Sequence, residues 1–259
     1  PLFETSIYTF EGQNPMADIV PEYVTEEQAI QAFFEGKTET ICITRDFTNE
    51  EKATLKKSQI EVRSDMLAKD AVALIVNPEN PDTTITIEKL KRILTGKDTV
   101  WDGLKTGINV VFDNVNSANF IYMRNLTGKG EVPKNVFAVK SNEEVIEYVK
   151  NNRSAIGFIG VNWISDEDDP QSLAFLDGIK VMEVAEKEGK EYFKPFQSYI
   201  YTKEYPLTRE VWLINMAGRN SLNMGFILFL LGERGQLIIQ KSSLIPANMV
   251  ARMIQIKTE

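Results

Sequence analysis

Asp70-Ala71-Val72-Ala73-Leu74-Ile75-Val76-Asn77-Pro78 sets an unbroken apolar run, Ala71 to Val76, between a carboxylate and a proline. A short run of branched and small apolar side chains without polar alternation suits a strand buried on both faces, as in a sheet covered by helices on each side. The prolines of Asn77-Pro78-Glu79-Asn80-Pro81-Asp82 stiffen the chain and bar helix continuation, so a crossing into a second lobe is expected there.

Outward from that run, similar β-rich segments recur at Thr40-Ile41-Cys42-Ile43-Thr44, Val110-Val111-Phe112 and Ile156-Gly157-Phe158-Ile159-Gly160. Helix starts lie between them. Thr25 with Gln28, Thr48 with Glu51 and Ser141 with Glu144 have the spacing that lets two side chains satisfy unpaired backbone donors. Gly36, Gly96 and Gly128 stand where helices should stop. Strand and helix signals that alternate in this way predict an α/β protein with a mixed or parallel sheet. A second crossing is expected at Phe193-Lys194-Pro195-Phe196-Gln197. That divides the chain into a discontinuous first lobe, residues 1–80 plus 196–259, and a second lobe, residues 81–195, joined by a hinge.

With 259 residues, 43% hydrophobic and 25% charged, the chain is long enough to bury a sizeable core. The apolar run Met224 to Leu231 is interrupted by Gly225 and is far shorter than the roughly 20 residues a membrane-spanning helix needs, so it reads as a buried helix. The N-terminus has no secretory signal, and the chain reads as mature or truncated. A net charge of −8 argues against nucleic-acid binding, which calls for clustered Lys and Arg. With no histidine, the Ser-His-Asp, Cys-His and His-based zinc arrangements are excluded. The single cysteine, Cys42, reads as a small buried hydrophobe. Asp166-Glu167-Asp168-Asp169 reads as a solvated loop, and Trp101, Trp163 and Trp212 as core and hinge packing.

Several segments, taken in order, resemble the phosphate-binding proteins of ABC transporters, which have the type II periplasmic binding-protein fold. These are Thr44-Arg45 with Phe47-Thr48 and Glu51; Asp70 to Pro78; Leu90, Ile93, Gly96-Lys97 and Trp101; Ile156-Gly157-Phe158; Tyr205-Pro206-Leu207-Thr208-Arg209; Gly235-Gln236; and Leu244-Ile245-Pro246. The wording of Ile159 to Ser165 and Phe112-Asp113-Asn114 is most similar to the branch found in Bacteroidetes. The resemblance implies two lobes, each a mixed sheet flanked by helices, with a ligand cleft between them. It also implies an N-terminal strand and a Gly-Ser/Thr-rich turn that would precede Pro1.

Three places carry the implied site. Phosphate has four oxygens and up to two charges, so a dry pocket must supply many donors, and helix N-termini offer free N–H groups and a favourable dipole. Thr44 can donate its hydroxyl and Arg45 a bidentate positive charge, although by residue type alone they are a strand end and a surface charge. Asn116-Ser117-Ala118-Asn119 resembles the family's Ser-Gly-Thr turn, and Ser117 or Asn116 by itself is an ordinary N-cap. Asp70 can accept the proton that phosphate retains and would repel sulfate, which has none; otherwise it is a loop aspartate capping local backbone. Two departures from the family stand out: Asp113 replaces an arginine, which Arg45 is expected to offset, and Ala118 replaces a glycine.

The resemblance thus implies capture of inorganic phosphate for an ABC permease in the inner membrane, by a monomer that closes its lobes on the ion. It implies no catalysis, no cofactor and no metal. The location implied is periplasmic or cell-envelope, with a lipid anchor upstream as an option. Two other classes stay open: an enzyme acting on phosphate esters, and a non-transport interaction module. Within the binding class, sulfate or molybdate are the competing ions.

Overall fold

The computed structural model describes residues 2–128, 132–164, 170–216, 218 and 221–248. The apolar run is the second half of a 14-residue strand, β2 (Arg63–Val76). Its pairing changes along its length. Residues from Arg63 to Ala71 pair with β9 (Thr208–Asn215), and Val72 to Val76 pair with β6 (Ala155–Gly160). One strand therefore serves both halves of the molecule, and the change falls between Ala71 and Val72, ahead of the prolines where sequence reading sets the crossing. The first half of β2 begins with Arg63-Ser64-Asp65 and is partly exposed, so its sequence carries no continuous apolar signal.

In the first half, β1 (Thr40–Ile43), β9, β2 and β10 (Ile245–Pro246) form one sheet with antiparallel pairings. β1 and β2 run the same way, joined through α3 (Asn49–Lys57), and β9 returns from late in the chain to insert between them. α2 (Glu26–Phe34) and α3 cover one face, burying Phe33, Ile41, Ile43, Phe47, Leu55 and Ile214. On the other side α1 (Leu2–Glu11) packs on α9 (Leu222–Leu231), with the Phe10 ring 5.3 Å from Phe226 and 5.5 Å from Phe229. α1 is the first described element, and β1 stands at the end of the strand order. Gly235 opens α10 (Glu233–Lys241) against α9 so closely that a Cβ would lie 2.4 Å from Leu230 Cα. The neighbouring Gln236 is buried and donates to Leu67 O and Leu230 O. This packing is the physical content of the Gly-Gln signature.

In the second half β6, β4 (Asn109–Phe112) and β5 (Val136–Ala138) pair in parallel, and β7 (Lys180–Val181) lies antiparallel to the end of β2. β3 (Thr84–Thr86) and β8 (Glu183–Ala185) form a separate parallel pair. The helices of this half are α4 (Ile87–Leu94), α5 (Ala118–Leu126), α6 (Asn142–Asn151) and α7 (Pro170–Leu176), whereas α8 (Gln197–Tyr201) packs on β2 and β10, with Gln197 Nε2 donating to Leu244 O. Gly157 lets α6 pack onto β6, since a Cβ there would come within 2.7 Å of Val145 and 2.9 Å of Val149.

Helix ends follow the local signals. Thr25 with Gln28 and Thr48 with Glu51 form reciprocal caps, Ser141 caps α6, and Gly36, Gly96 and Gly128 adopt φ of +68°, +72° and +81°. Trp101 is buried and donates to Ser154 O, Trp163 packs on Phe175, and Trp212 lies half-buried on β9. The acidic run Asp166 to Asp169 lies outside the described residues. No single described helix is long and apolar enough to cross a membrane.

Candidate functional site

Asp70 and Arg209 face each other across the β2–β9 ladder, one pair short of the point where β2 changes sheets. The two strands bring their side chains to the junction of the halves. Arg209 Nε donates to Asp70 Oδ2 at 2.8 Å and Nη2 lies 2.6 Å from the same oxygen in an ion pair, and the two side chains are only 9% and 7% exposed. Asp70 Oδ1 is buried and receives no hydrogen bond among the described residues. A carboxylate oxygen held out of water without a donor is costly, and such an atom points to a donor supplied by a ligand.

Arg209 also reaches across to the second half, where its Nη1 donates to Asn119 Oδ1 at 3.0 Å. These two hydrogen bonds use two of the five guanidinium N–H groups. Because Asn119 Oδ1 receives a cationic donor, its amide nitrogen is left to donate elsewhere. One turn along α5, Tyr122 donates its hydroxyl to Thr208 O at 3.0 Å, and burial pushes that phenol's pKa up.

The start of α5 is held by packing. Phe120 sits edge-on to Phe112 with ring centres 5.2 Å apart, and Phe112 stacks on Phe158 at 4.5 Å. Ser117 is the N-cap, and its Oγ accepts from the Phe120 N–H at 3.1 Å while the hydroxyl proton stays available. The N–H groups of Ala118 and Asn119 have no intrahelical acceptor, as at any helix start, and they open on the same side as the capping hydroxyl. Asn116 is exposed, and its N–H is spent on Asn114 Oδ1 at 2.8 Å, inside the turn. At the end of β6, a Cβ on Gly160 would lie 2.5 Å from Asn162 Oδ1 and 3.5 Å from Arg209 Nη2, so glycine leaves room for both groups.

Of the residues singled out from sequence, Asp70 and Asn119 bond to Arg209, and Ser117 and Ala118 lie next to Asn119 at the start of α5, while Asn116 contributes no free backbone N–H. Thr44 and Arg45 are engaged elsewhere. The Thr44 N–H and hydroxyl donate to Glu26 Oε2 at 3.0 and 2.7 Å, and Arg45 Nε donates to Glu26 Oε1 at 3.2 Å. The other edge of Arg45 is bidentate to Glu51, at 2.8 and 2.9 Å. Glu51, and then Glu26, hold the Arg45 guanidinium above its ordinary pKa, and Arg45 in turn holds Glu51 below the usual carboxylate range. The Cys42 thiol beside this group is pushed up to about 12, by burial first and by the Glu26 charge second.

Arg45 therefore does not offset Asp113, whose Oδ2 accepts from Asn142 Nδ2 at 3.4 Å. The cation beside Asp70 is Arg209, which sequence reading placed in a turn and not in the site. Its only sequence signal is conditional: the residue opposite a buried aspartate across a ladder should be basic, and the register is needed to find it. Among the described residues no group of three or more His, Cys, Asp or Glu side chains is placed to hold a metal ion.

A family model described as a PBP superfamily domain matches residues 1–234. Protein SphX of Synechococcus elongatus is 21% identical over 250 residues, covering 92% of this chain and 72% of the relative. The phosphate-binding protein PstS of Borreliella burgdorferi is 25% identical over 201 residues, 72% of this chain and 67% of the relative. Among solved structures, a candidate phosphate ABC transporter substrate-binding protein from Clostridium perfringens with bound phosphate superposes with a TM-score of 0.77 at 24% identity, covering 96% of this chain and 95% of that one. An ABC-type phosphate transport receptor from Vibrio cholerae gives 0.74 at 23% identity, with 94% of each chain covered. At these identities the structural likeness is one of fold.

Proposed function

Since this chain belongs to the PBP superfamily, we propose that it captures inorganic phosphate between its two halves for uptake by an ABC transporter. The observation that carries the reading is the buried Asp70 Oδ1, bare of any donor and beside a buried arginine. Phosphate near neutral pH keeps a proton and can donate it to that oxygen. The unused N–H groups of Arg209, the Ser117 hydroxyl, the Asn119 amide and the first N–H groups of α5 then serve the remaining oxygens. Asp70 already neutralises Arg209, so the site favours a protonated anion over a fully ionised one. Sulfate would set a bare oxygen against Oδ1.

Donors come from β9 in the first half and α5 in the second, so binding favours an arrangement in which both converge, and closure is what a membrane permease would read. No bond of the ion is broken in this scheme. The chain acts as a monomer outside the cytoplasm. That two curated or solved relatives carry phosphate in their names supports the choice of ion.

Isothermal titration of phosphate and sulfate into the chain and into Asp70→Asn tests this reading. Phosphate should bind about 10–100-fold more tightly than sulfate, the cost of one unsatisfied buried polar contact, and Asp70→Asn should narrow that ratio. Equal affinity for both ions would refute the role of Asp70. Binding of neither would favour a non-transport interaction module.

A further inference from the structure

A groove of about 850 Å³ is lined from both halves, and none of Asp70, Ser117, Asn119 and Arg209 takes part in it. Its base is apolar: Val161 and Ile164, which follow β6, and Ile179, which precedes β7, are all buried. The first half supplies Pro195-Phe196, ahead of α8, with the Phe196 ring exposed, and Lys241 in the last turn of α10. Three lysines, Lys180, Lys194 and Lys241, stand here against one carboxylate, Glu183. Lys180 and Lys241 are exposed and Lys194 is half-buried, and none of the three is in an ion pair among the described residues. In a chain of net charge −8 this is a local reversal of sign, and gathered like charges favour an anion between them.

We propose that this groove is a second ligand site, which takes a small organic anion with an apolar body, of the class of a medium-chain carboxylate. Its volume falls within the roughly 300–1,000 Å³ of small-molecule sites. The pairing of an apolar base with lysines selects the class. An inorganic oxyanion would leave Val161, Ile164 and Ile179 uncovered, and a neutral or cationic apolar body would leave the lysines without a counter-charge. A carboxylate on a hydrocarbon chain satisfies both, with the chain against the base and the Phe196 ring and the head group among the lysines. Such an occupant touches Phe196 and Lys241 of one half and Ile164 and Lys180 of the other, so its affinity depends on how the halves are arranged. Val161 directly follows Gly160, whose missing Cβ leaves room for Arg209 Nη2. The groove and the Arg209 position therefore meet at one strand end, and occupancy of each changes the affinity of the other by the same factor. That linkage rests on the capture reading above, whereas the groove and its charge do not.

Isothermal titration of decanoate, kept below its micelle concentration, into the parent chain, Lys180→Glu/Lys241→Glu and Phe196→Ala tests the site, with acetate and decylammonium as controls for head group and body. Decanoate should bind the parent at one site, and neither control should. Reversal of the two lysines should weaken decanoate by about tenfold, and loss of the Phe196 ring by about threefold or more. The exchanged side chains are exposed, so each variant should keep the parent's melting temperature without ligand. No decanoate binding, equal binding of decylammonium, or full affinity in the lysine variant would overturn the proposal. With saturating phosphate the decanoate constant should change by at least about fivefold. An unchanged constant in a chain that binds both would remove the linkage between the sites. Phosphate binding by no chain, with the decanoate response intact, would sink the capture reading alone.

Discussion

Asp70 and Arg209 show how much of the site rests on one pair of side chains. A buried ion pair contributes little net stability, but removal of one partner strands the other's charge away from water. Arg209→Met should therefore destabilise the chain by about 3–5 kcal/mol in urea denaturation, and the double variant Asp70→Asn/Arg209→Met should recover most of the loss. Equal destabilisation of the single and double variants would mean that packing around Arg209, and not the charge of Asp70, carries the cost. Asp70 was legible as a candidate because its segment resembles the family's and its carboxylate can accept the proton phosphate retains. Arg209 was not, because nothing local distinguishes it from a surface arginine at a strand start.

At the scale of elements, helix starts do two jobs here. Thr48 and Glu51 cap α3 reciprocally, and the same Glu51 carboxylate clamps Arg45. Arg45 lowers the pKa of Glu51 in the folded state. A carboxylate whose folded pKa is depressed adds stability above its unfolded pKa and loses it as pH falls through the folded one. The stability gap between the parent and Glu51→Gln should thus be full at pH 7 and shrink as acid passes below the ordinary carboxylate range. Parallel stability-against-pH curves from chemical denaturation would contradict this linkage. The three caps were readable because capping is a contact between residues three apart. The use of Glu26 and Glu51 as partners of β1 was not, because it depends on how α2 and α3 lie against the strand.

Across the whole molecule, β2 is the shared spine, and several bonds near Arg209 cross between the halves. Tyr205 donates to Val72 O at 2.7 Å, Tyr122 to Thr208 O, and Arg209 to Asn119. An ion gripped by both halves binds the folded chain and not the unfolded one. Phosphate at about 100 times its dissociation constant should then add about 2.7 kcal/mol, or about 5–10 °C in melting temperature for a chain of this size. A shift of that size from sulfate at the same multiple of phosphate's constant would argue for general anion stabilisation.

The sequence by itself determined the α/β alternation, the helix caps and the glycine stops, which depend on side chains within a few residues of one another or on an apolar run that burial demands, while Asp70 and the Ser117 to Asn119 turn became candidates through the family resemblance. Only the tertiary structure decided that Arg209, 139 residues from Asp70, completes the ion pair, and that Thr44 and Arg45 are turned to Glu26. Those pairings follow from strand register and helix placement, and register is set by the packing of the whole sheet rather than by any local run of residues.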